Sequence, residues 1–249
     1  MTGSLVVVGT GPGKAELMTP ATTAALARAT DLVGYGPYLE RLPERSGQCR
    51  HASDNRVELD RARHALSLAA AGRQVVVVSG GDPGVFAMAA AVFEAIETGA
   101  PEWRQLDVRV EPGVTAMLAA AAEVGAPLGG DFCALSLSDN LKAWSTVERR
   151  LKAAAEGDFV IALYNPASRA RPTQLGKAFD LLRTLKAADT PVLFVRAAGT
   201  ADAQVITTTL AAADPSRADM RTLVIVGAST TRQVGRWVYT PRSERAGRS

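Results

Sequence analysis

Short apolar runs at 5–9, 31–34, 75–78 and 106–110 alternate with stretches of helical periodicity through the first half of the chain. Alternation of this kind predicts βαβ units around a largely parallel sheet. Thr19 and Pro20 supply an N-cap and a first-turn proline for a helix through Ala29, since proline at that position sacrifices no hydrogen bond. Asp54 or Asn55 is placed to cap a long helix. Leu59, Ala62, Leu66 and Ala69 line its apolar face, and Gly72 stands where a helix end wants positive φ. The β-branched run 75–78 reads as a strand buried on both faces. It ends at Ser79-Gly80-Gly81-Asp82-Pro83-Gly84, ahead of a helix over 85–98.

Glu111-Pro112-Gly113 breaks the pattern, and the domain junction is expected there: one α/β domain over 1–112 and a second over 113–241. In the second, helices are predicted at 116–124, 141–155 and 174–188, with strands at 132–137, 159–164 and 192–195. Its last apolar segments, 204–210, 222–226 and 237–239, are separated by short connections, which predicts a mixed sheet with antiparallel members. The charged tail 242–249 is expected to be disordered.

No apolar run approaches the roughly 20 residues that cross a bilayer, and the start of the chain carries no basic region or cleavage site of a secretion signal. A cytoplasmic protein with no membrane partner is expected. Cys49 and Cys133 stand apart from each other and from any histidine cluster, so neither a disulfide nor a structural metal is predicted. The net charge is +3, and lysine occurs only at Lys14, Lys142, Lys152, Lys177 and Lys186, so the basic side chains are overwhelmingly arginine. They form no dense run interleaved with aromatics, which argues against nucleic acid. Their planar forks suit the carboxylates of an acidic small molecule.

Three glycine-rich loops follow strands: Gly9-Thr10-Gly11-Pro12-Gly13, Gly80-Gly81-Asp82-Pro83 and Glu111-Pro112-Gly113-Val114-Thr115-Ala116. The first is not a dinucleotide fingerprint, because Lys14 stands where the third glycine belongs and the helix begins only at Thr19-Pro20. Nor is it a Walker loop, because Gly13-Lys14 is followed by Ala15 and Val8 stands five positions before Gly13. What remains is a set of turns at the carboxyl edge of a sheet, where open α/β sheets bind ligands and where glycine lets backbone approach them.

The motifs GTGPG, SGGDPGVFAMA, EPGVTAM and LYNPASR, in this order and spacing, resemble those of the tetrapyrrole (corrin/porphyrin) methylases over essentially the whole chain. VGYGPYLERL, DPGVFAMA and FCALSLSDNLKAW resemble most the members that methylate precorrin-3B at C17 and contract its ring. The resemblance implies an S-adenosyl-L-methionine-dependent enzyme of cobalamin biosynthesis, a homodimer, with two α/β domains and the cofactor in the cleft between them. Carried over by motif, Pro12, Gly80, Gly81, Asp82, Val85, Thr115, Ala116, Tyr164, Asn165, Ala197 and Ala228 are expected at the cofactor. Asp82 suits its cationic amino group, and turn formation before Pro83 is the competing role. Asn165 stands where relatives often carry methionine.

An acidic tetrapyrrole, precorrin-3B, is the implied substrate. Gly11, Tyr38, Ser138, Arg169 and Arg171 are its expected contacts, with Arg56 and Arg232 further out. Ring contraction invites a general base. Relatives acting on uroporphyrinogen carry Asp after the tyrosine of the second strand, whereas this chain reads Tyr35-Gly36-Pro37-Tyr38. Asp139 is the replacement expected, although Ser138, Asp139 or Asn140 equally suits the N-cap of the helix containing Trp144. His51 is a second candidate. Another precorrin or cobalt-precorrin methyltransferase, or a nucleotide-binding module without chemistry, remains an alternative.

Overall fold

The computed structural model describes residues 3–54 and 57–243. The expected Asn55 cap, Arg56 and most of the tail, 244–249, lie outside them. Two units divide the chain, Met1–Ala116 and Met117–Ser249.

The first unit runs β1 (Ser4–Gly9), α1 (Pro20–Arg28), β2 (Asp31–Tyr35), α2 (Gly36–Leu39), β3 (Cys49–Ser53), α3 (Glu58–Ala70), β4 (Gln74–Ser79), α4 (Met88–Thr98) and β5 (Asp107–Glu111). The strands form one sheet in the order β3-β2-β4-β1-β5, and every pairing is parallel. Strand alternation divides its side chains between two cores. Leu5, Val7, Val33, Val75 and Val77 pack with Ala62, Leu66 and Val92 of α3 and α4. Val8, Leu32, Val76 and Val78 pack with Leu26 and Leu39 on the other face. Burial on both sides is why these strands read as continuous apolar runs.

The expected cap of α1 is present: Thr19 Oγ1 accepts from Thr22 N, with Pro20 in the first turn. Gly72, at φ 88°, closes α3. Other boundaries need correction. Helix α3 starts at Glu58 after Val57 with no side-chain cap, and the Asp54 carbonyl instead accepts from the Arg61 guanidinium at 2.6 Å. Helix α4 starts at Met88 rather than 85, because Phe86 adopts φ 52° and no helix continues through that conformation. Strand β3 and the short α2 are elements that hydrophobic periodicity did not reveal.

The second unit contains α5 (Ala116–Val124), β6 (Gly125–Ala126), β7 (Phe132–Ser136), α6 (Trp144–Glu156), β8 (Val160–Tyr164), α7 (Gln174–Arg183), β9 (Pro191–Arg196), β10 (Gln204–Thr209), β11 (Thr222–Val226), β12 (Arg232–Val234) and β13 (Trp237–Tyr239). Its five-stranded sheet, β10-β9-β11-β8-β7, is mixed as expected. Strands β7 and β8 are parallel, and the remaining pairings are antiparallel. A smaller sheet, β12-β13-β6, stands beside it in the chain order. Phe179 and Phe194 meet edge to face at 6.0 Å in a core that includes Leu151, Leu163, Leu175 and Val224. Helix α6 begins at Trp144, not 141, and helix α7 ends at Arg183, five residues short of its expected end.

Candidate functional site

In the first unit the three glycine loops emerge from β1, β4 and β5, which lie on one another through the order β4-β1-β5. They do not merely share an edge. The N–H of Gly11 donates to the Gly81 carbonyl at 3.1 Å, and the N–H of Gly81 returns a bond to Gly11 O at 2.8 Å. Both residues have positive φ, 72° and 63°, a conformation glycine adopts without penalty. The third loop is drawn in by Asp82. Its Oδ2 accepts from Gly113 N at 3.0 Å, while Oδ1 accepts from Gly84 N at 2.8 Å. One carboxylate therefore closes its own turn and ties the β5 loop to the β4 loop.

Contact between these loops is as close as backbone allows. A Cβ on Gly113 would lie 2.2 Å from Gly81 O, and one on Gly9 would lie 2.6 Å from the same oxygen. Thr115 and Ala116 follow at once: their Cα and N stand 3.8 and 3.9 Å from the place a Cβ of Gly81 would take. A Cβ on Gly80 would meet Tyr38 Cζ at 2.8 Å. Tyr38 is itself packed edge-on against Tyr35, ring centroids 5.4 Å apart. Half-buried Val85 donates its N–H to Asp82 O at 3.4 Å, and half-buried Pro12 follows Gly11. Gly11, Pro12, Tyr38, Gly80, Gly81, Asp82, Val85, Thr115 and Ala116 are thus brought together within one unit.

His51 is not with them. Its Nε2 donates to Asp31 Oδ1 at 2.9 Å, at the amino end of β2, and its Nδ1 faces His64 Nε2 at 3.1 Å. His51 is mid-strand in the edge strand β3, opposite Val33, with its side chain tied to the amino end of β2, whereas the loops stand at the carboxyl ends of β1 and β4.

The second unit gathers Ser138, Tyr164, Asn165 and Ala197 at the carboxyl ends of β7, β8 and β9, but not Ala228: β11 runs antiparallel to β8 and β9, so the residues after it lie at the opposite end of the sheet, where Gly227 N donates to Pro191 O. Asn165 and Ala197 both adopt left-handed φ, 53° and 51°. Strain of this kind in non-glycine residues concentrates where a ligand or a switch demands it. Asn165 Nδ2 donates to Ser136 Oγ at 2.9 Å, the same oxygen that accepts from Ser138 N at 3.3 Å. The Tyr164 hydroxyl accepts from Met117 N at 3.0 Å, at the start of α5. Ala228, buried after β11, donates its N–H to Thr231 Oγ1 at 2.9 Å.

Asp139 caps nothing. Ala143 precedes α6 without a side-chain cap; Asp139 Oδ2 accepts from Gln174 Nε2 at 3.0 Å, at the first residue of α7. The expected N-cap is therefore replaced by a tie between two helix starts. Of the paired arginines, Arg169 is exposed and Arg171 is buried, its Nη1 donating to Asn165 O at 3.3 Å. Ser136 and Gln174 entered no sequence expectation. Their only signal was position, at a strand end and after the 165–172 loop.

Among the described residues no group of three or more His, Cys, Asp or Glu could hold a metal ion, and no helix is long and apolar enough to cross a membrane. Cys49 and Cys133 are free thiols, and burial pushes that of Cys133 up.

Residues 4–214 match the family described as Tetrapyrrole (Corrin/Porphyrin) Methylases. The chain belongs to that family. A precorrin-3B C(17)-methyltransferase of Sinorhizobium sp is 60% identical over 247 residues, 97% of this chain and 97% of that protein. A probable cobalt-factor III C(17)-methyltransferase of Salmonella typhimurium is 41% identical, covering 96% of this chain and 98% of its own. The crystal structure of the methyltransferase CobJ superposes with a TM-score of 0.94 at 55% identity, covering 96% of this chain and all of that one (100%). A uroporphyrin-III C-methyl transferase from Thermus thermophilus, complexed with S-adenyl homocysteine, shares the fold: TM-score 0.69 at 23% identity, covering 90% of this chain and 97% of that one.

Proposed function

We propose that this methylase transfers a methyl group from S-adenosyl-L-methionine to C17 of precorrin-3B and promotes ring contraction to precorrin-4, in the cytoplasm, as a step of cobalamin biosynthesis. The observation that carries this reading is 60% identity, along nearly the full length of both chains, to a protein named for that reaction. Identity to the cobalt-factor III protein is lower, 41%, which favours the metal-free substrate over its cobalt-bearing counterpart.

The glycine loops fit the cofactor. Gly9, Gly80 and Gly113 let the three loops and Tyr38 pack with no Cβ between them, and backbone carbonyls and N–H groups free of side chains can reach a ligand directly. In this reading Pro12, Gly80, Gly81, Val85, Thr115 and Ala116 of the first unit border the cofactor. When bound, the cofactor supplies an electrophilic methyl on sulfonium sulfur. The protein's part is to hold the acceptor carbon in line with that methyl and to exclude water, which together account for much of the acceleration in such transfers. Ser138, Arg169 and Arg171 of the second unit are this reading's contacts to the tetrapyrrole.

Asp82 acts mainly through the loops it joins. Asp82→Ala removes two charge-assisted bonds to backbone N–H groups and is expected to weaken cofactor binding by about 10- to 100-fold. Asp82→Asn, which keeps one acceptor oxygen, falls between. Titration calorimetry with S-adenosyl-L-methionine reads both, and an unchanged dissociation constant for Asp82→Ala removes the tie from the binding site.

Asp139 is the general base of this reading, since His51 is engaged by Asp31. Asp139→Asn retains an acceptor for Gln174 but cannot take a proton. Cofactor affinity is expected within about twofold of the parent, with ring contraction slowed by about 100-fold or more. Contraction at the parental rate excludes Asp139 as the base.

The decisive experiment incubates the protein with precorrin-3B and methyl-labelled cofactor and follows the tetrapyrrole by mass spectrometry. One added methyl on a contracted ring is expected. Tight cofactor binding without transfer to any precorrin overturns the catalytic reading, and tight binding of NAD or ATP in its place overturns the cofactor. The working form in this reading is a homodimer, for which light scattering should give twice the chain mass of 26.1 kDa.

A further inference from the structure

Four buried side-chain atoms among the described residues have no hydrogen-bond partner: Trp144 Nε1, Ser168 Oγ, Arg171 Nε and Gln174 Oε1. Orphaned buried polar atoms are few in native proteins and each asks for a reason. Here all four fall in one neighbourhood of the second unit. Trp144 opens α6 and Gln174 opens α7. Asp139, from the segment before α6, bonds Gln174 at 3.0 Å, and Lys177 of α7 lies 5.5 Å over the Trp144 ring. Ser168 and Arg171 form a turn closed by reciprocal backbone bonds of 3.1 and 3.0 Å, three residues before Gln174.

The charge of this neighbourhood is positive. Arg171 is only 8% exposed, and among the described residues it forms no salt bridge with a carboxylate. Lys142 feels Arg171 and Arg150 as well as Asp139: burial first, then these like charges, hold its ammonium below the usual lysine range, while Asp139 opposes them. Helices α6 and α7 both start without a side-chain cap, so their N-terminal dipoles add to the same field. A buried guanidinium with one donor unpaired is destabilising unless something anionic completes it.

We propose that Trp144, Ser168 and Arg171 form a subsite for one peripheral carboxylate of the tetrapyrrole acid. The proposal rests on the substrate reading above. Arg171 Nε, the indole N–H and the Ser168 hydroxyl are three donors for the two carboxylate oxygens. Gln174, whose amide nitrogen holds Asp139 at 3.0 Å, borders the subsite and gives the carboxylate no bond, its Oε1 being an acceptor like the carboxylate oxygens. The donors are shut from solvent here, so the ligand enters as the Ser168–Arg171 turn yields. Exposed Arg169 on the same turn is outside the subsite.

The test compares Arg171→Gln, Arg171→Lys and Trp144→Phe with the parent and with Arg149→Gln, an exposed charge control on α6. Arg171→Gln is expected to raise KM for precorrin-3B about 10- to 100-fold, with kcat and cofactor affinity within about twofold. Arg171→Lys should recover part of the loss, Trp144→Phe should raise KM severalfold, and Arg149→Gln should change nothing. Esterifying the substrate's carboxylates should abolish the difference between parent and Arg171→Gln. A KM within twofold of the parent in both Arg171→Gln and Trp144→Phe overturns the subsite, as does an equal penalty on the esterified substrate. Should Arg171→Gln fail to fold, Arg171→Lys and Trp144→Phe decide alone. If the parent does not methylate precorrin-3B, the function reading fails by itself. Fluorescence titration with uroporphyrin III then tests the subsite separately: binding weakened in Arg171→Gln sustains it, and equal binding rejects it.

Discussion

Gly113→Ala is expected to lose measurable affinity for S-adenosyl-L-methionine, by at least about 100-fold, and to lower stability by about 3 kcal/mol. The new Cβ would stand 2.2 Å from Gly81 O and 2.9 Å from both Cα and C of Gly9. All three are backbone atoms, so no side chain can swing aside. The β5 loop must therefore retreat from the other two. In doing so it strains the bond from Gly113 N to Asp82 Oδ2, now 3.0 Å, and with it the reciprocal pair between Gly11 and Gly81. Gly36→Ala provides the contrast. Its Cβ would meet only Glu40 Oε1, at 4.0 Å, and stability should stay within about 0.5 kcal/mol of the parent. Urea unfolding and calorimetry measure the two effects separately. Parental cofactor affinity in a folded Gly113→Ala protein would falsify the placing of the cofactor at these loops.

That Gly113 should matter more than its neighbours was only partly legible in the sequence. The loops themselves were plain, because strands buried on both faces are unbroken apolar runs and glycine ends them: β4 is legible within a residue at each end, although the loop after it runs three residues further than expected. Helix α5 and strands β11 and β13 are legible to the residue. What sequence lacks is the pairing order. Only once β1 lies between β4 and β5 do three loops separated by tens of residues press on one another, and only then does Gly113 acquire its neighbours.

The misreadings share a cause. Strand β3, Cys-Arg-His-Ala-Ser, is an edge strand without an apolar run, because its side chains bond rather than pack: Arg50 donates to the carbonyls of Leu39, Leu42 and Pro43, and His51 to Asp31. Periodicity sees burial and is blind to such bonds. Asp139 is one of three residues, with Ser138 and Asn140, that suit the N-cap of α6 by position, yet its partner is Gln174, 35 residues away. Asp82 forms the turn that Asp before proline implies, and its second oxygen reaches Gly113 N, 31 residues on, a partner no local spacing shows. In each instance the residue type was informative and the partner was set by topology.

Asp31 shows how much such a polar tie can hold, and Asp31→Ala is expected to destabilise the protein by about 3 kcal/mol at neutral pH. The carboxylate, 3% exposed, accepts from Arg73 Nε at 2.7 Å, Thr30 Oγ1 at 2.7 Å and His51 Nε2 at 2.9 Å. It thereby joins the start of β2 to the residue before β4 and to the middle of β3. Burial alone would push its pKa up; the hydrogen bonds from Arg73, Thr30 and His51, and the charge of Arg73, outweigh burial and bring it to about 2, from 3.8. A folded-state pKa below the unfolded one means that the ionised form stabilises the fold above the unfolded value and loses that effect as pH falls through the folded one. The shift corresponds to about 2 kcal/mol, present above pH 4 and lost between about pH 4 and 2. Denaturant unfolding at a series of pH values should therefore show parent and Asp31→Ala converging as pH drops through this window. A stability difference that stays constant from pH 7 to pH 2 would mean that Asp31 acts through packing alone, and that the ionised tie between β2, β3 and β4 contributes nothing.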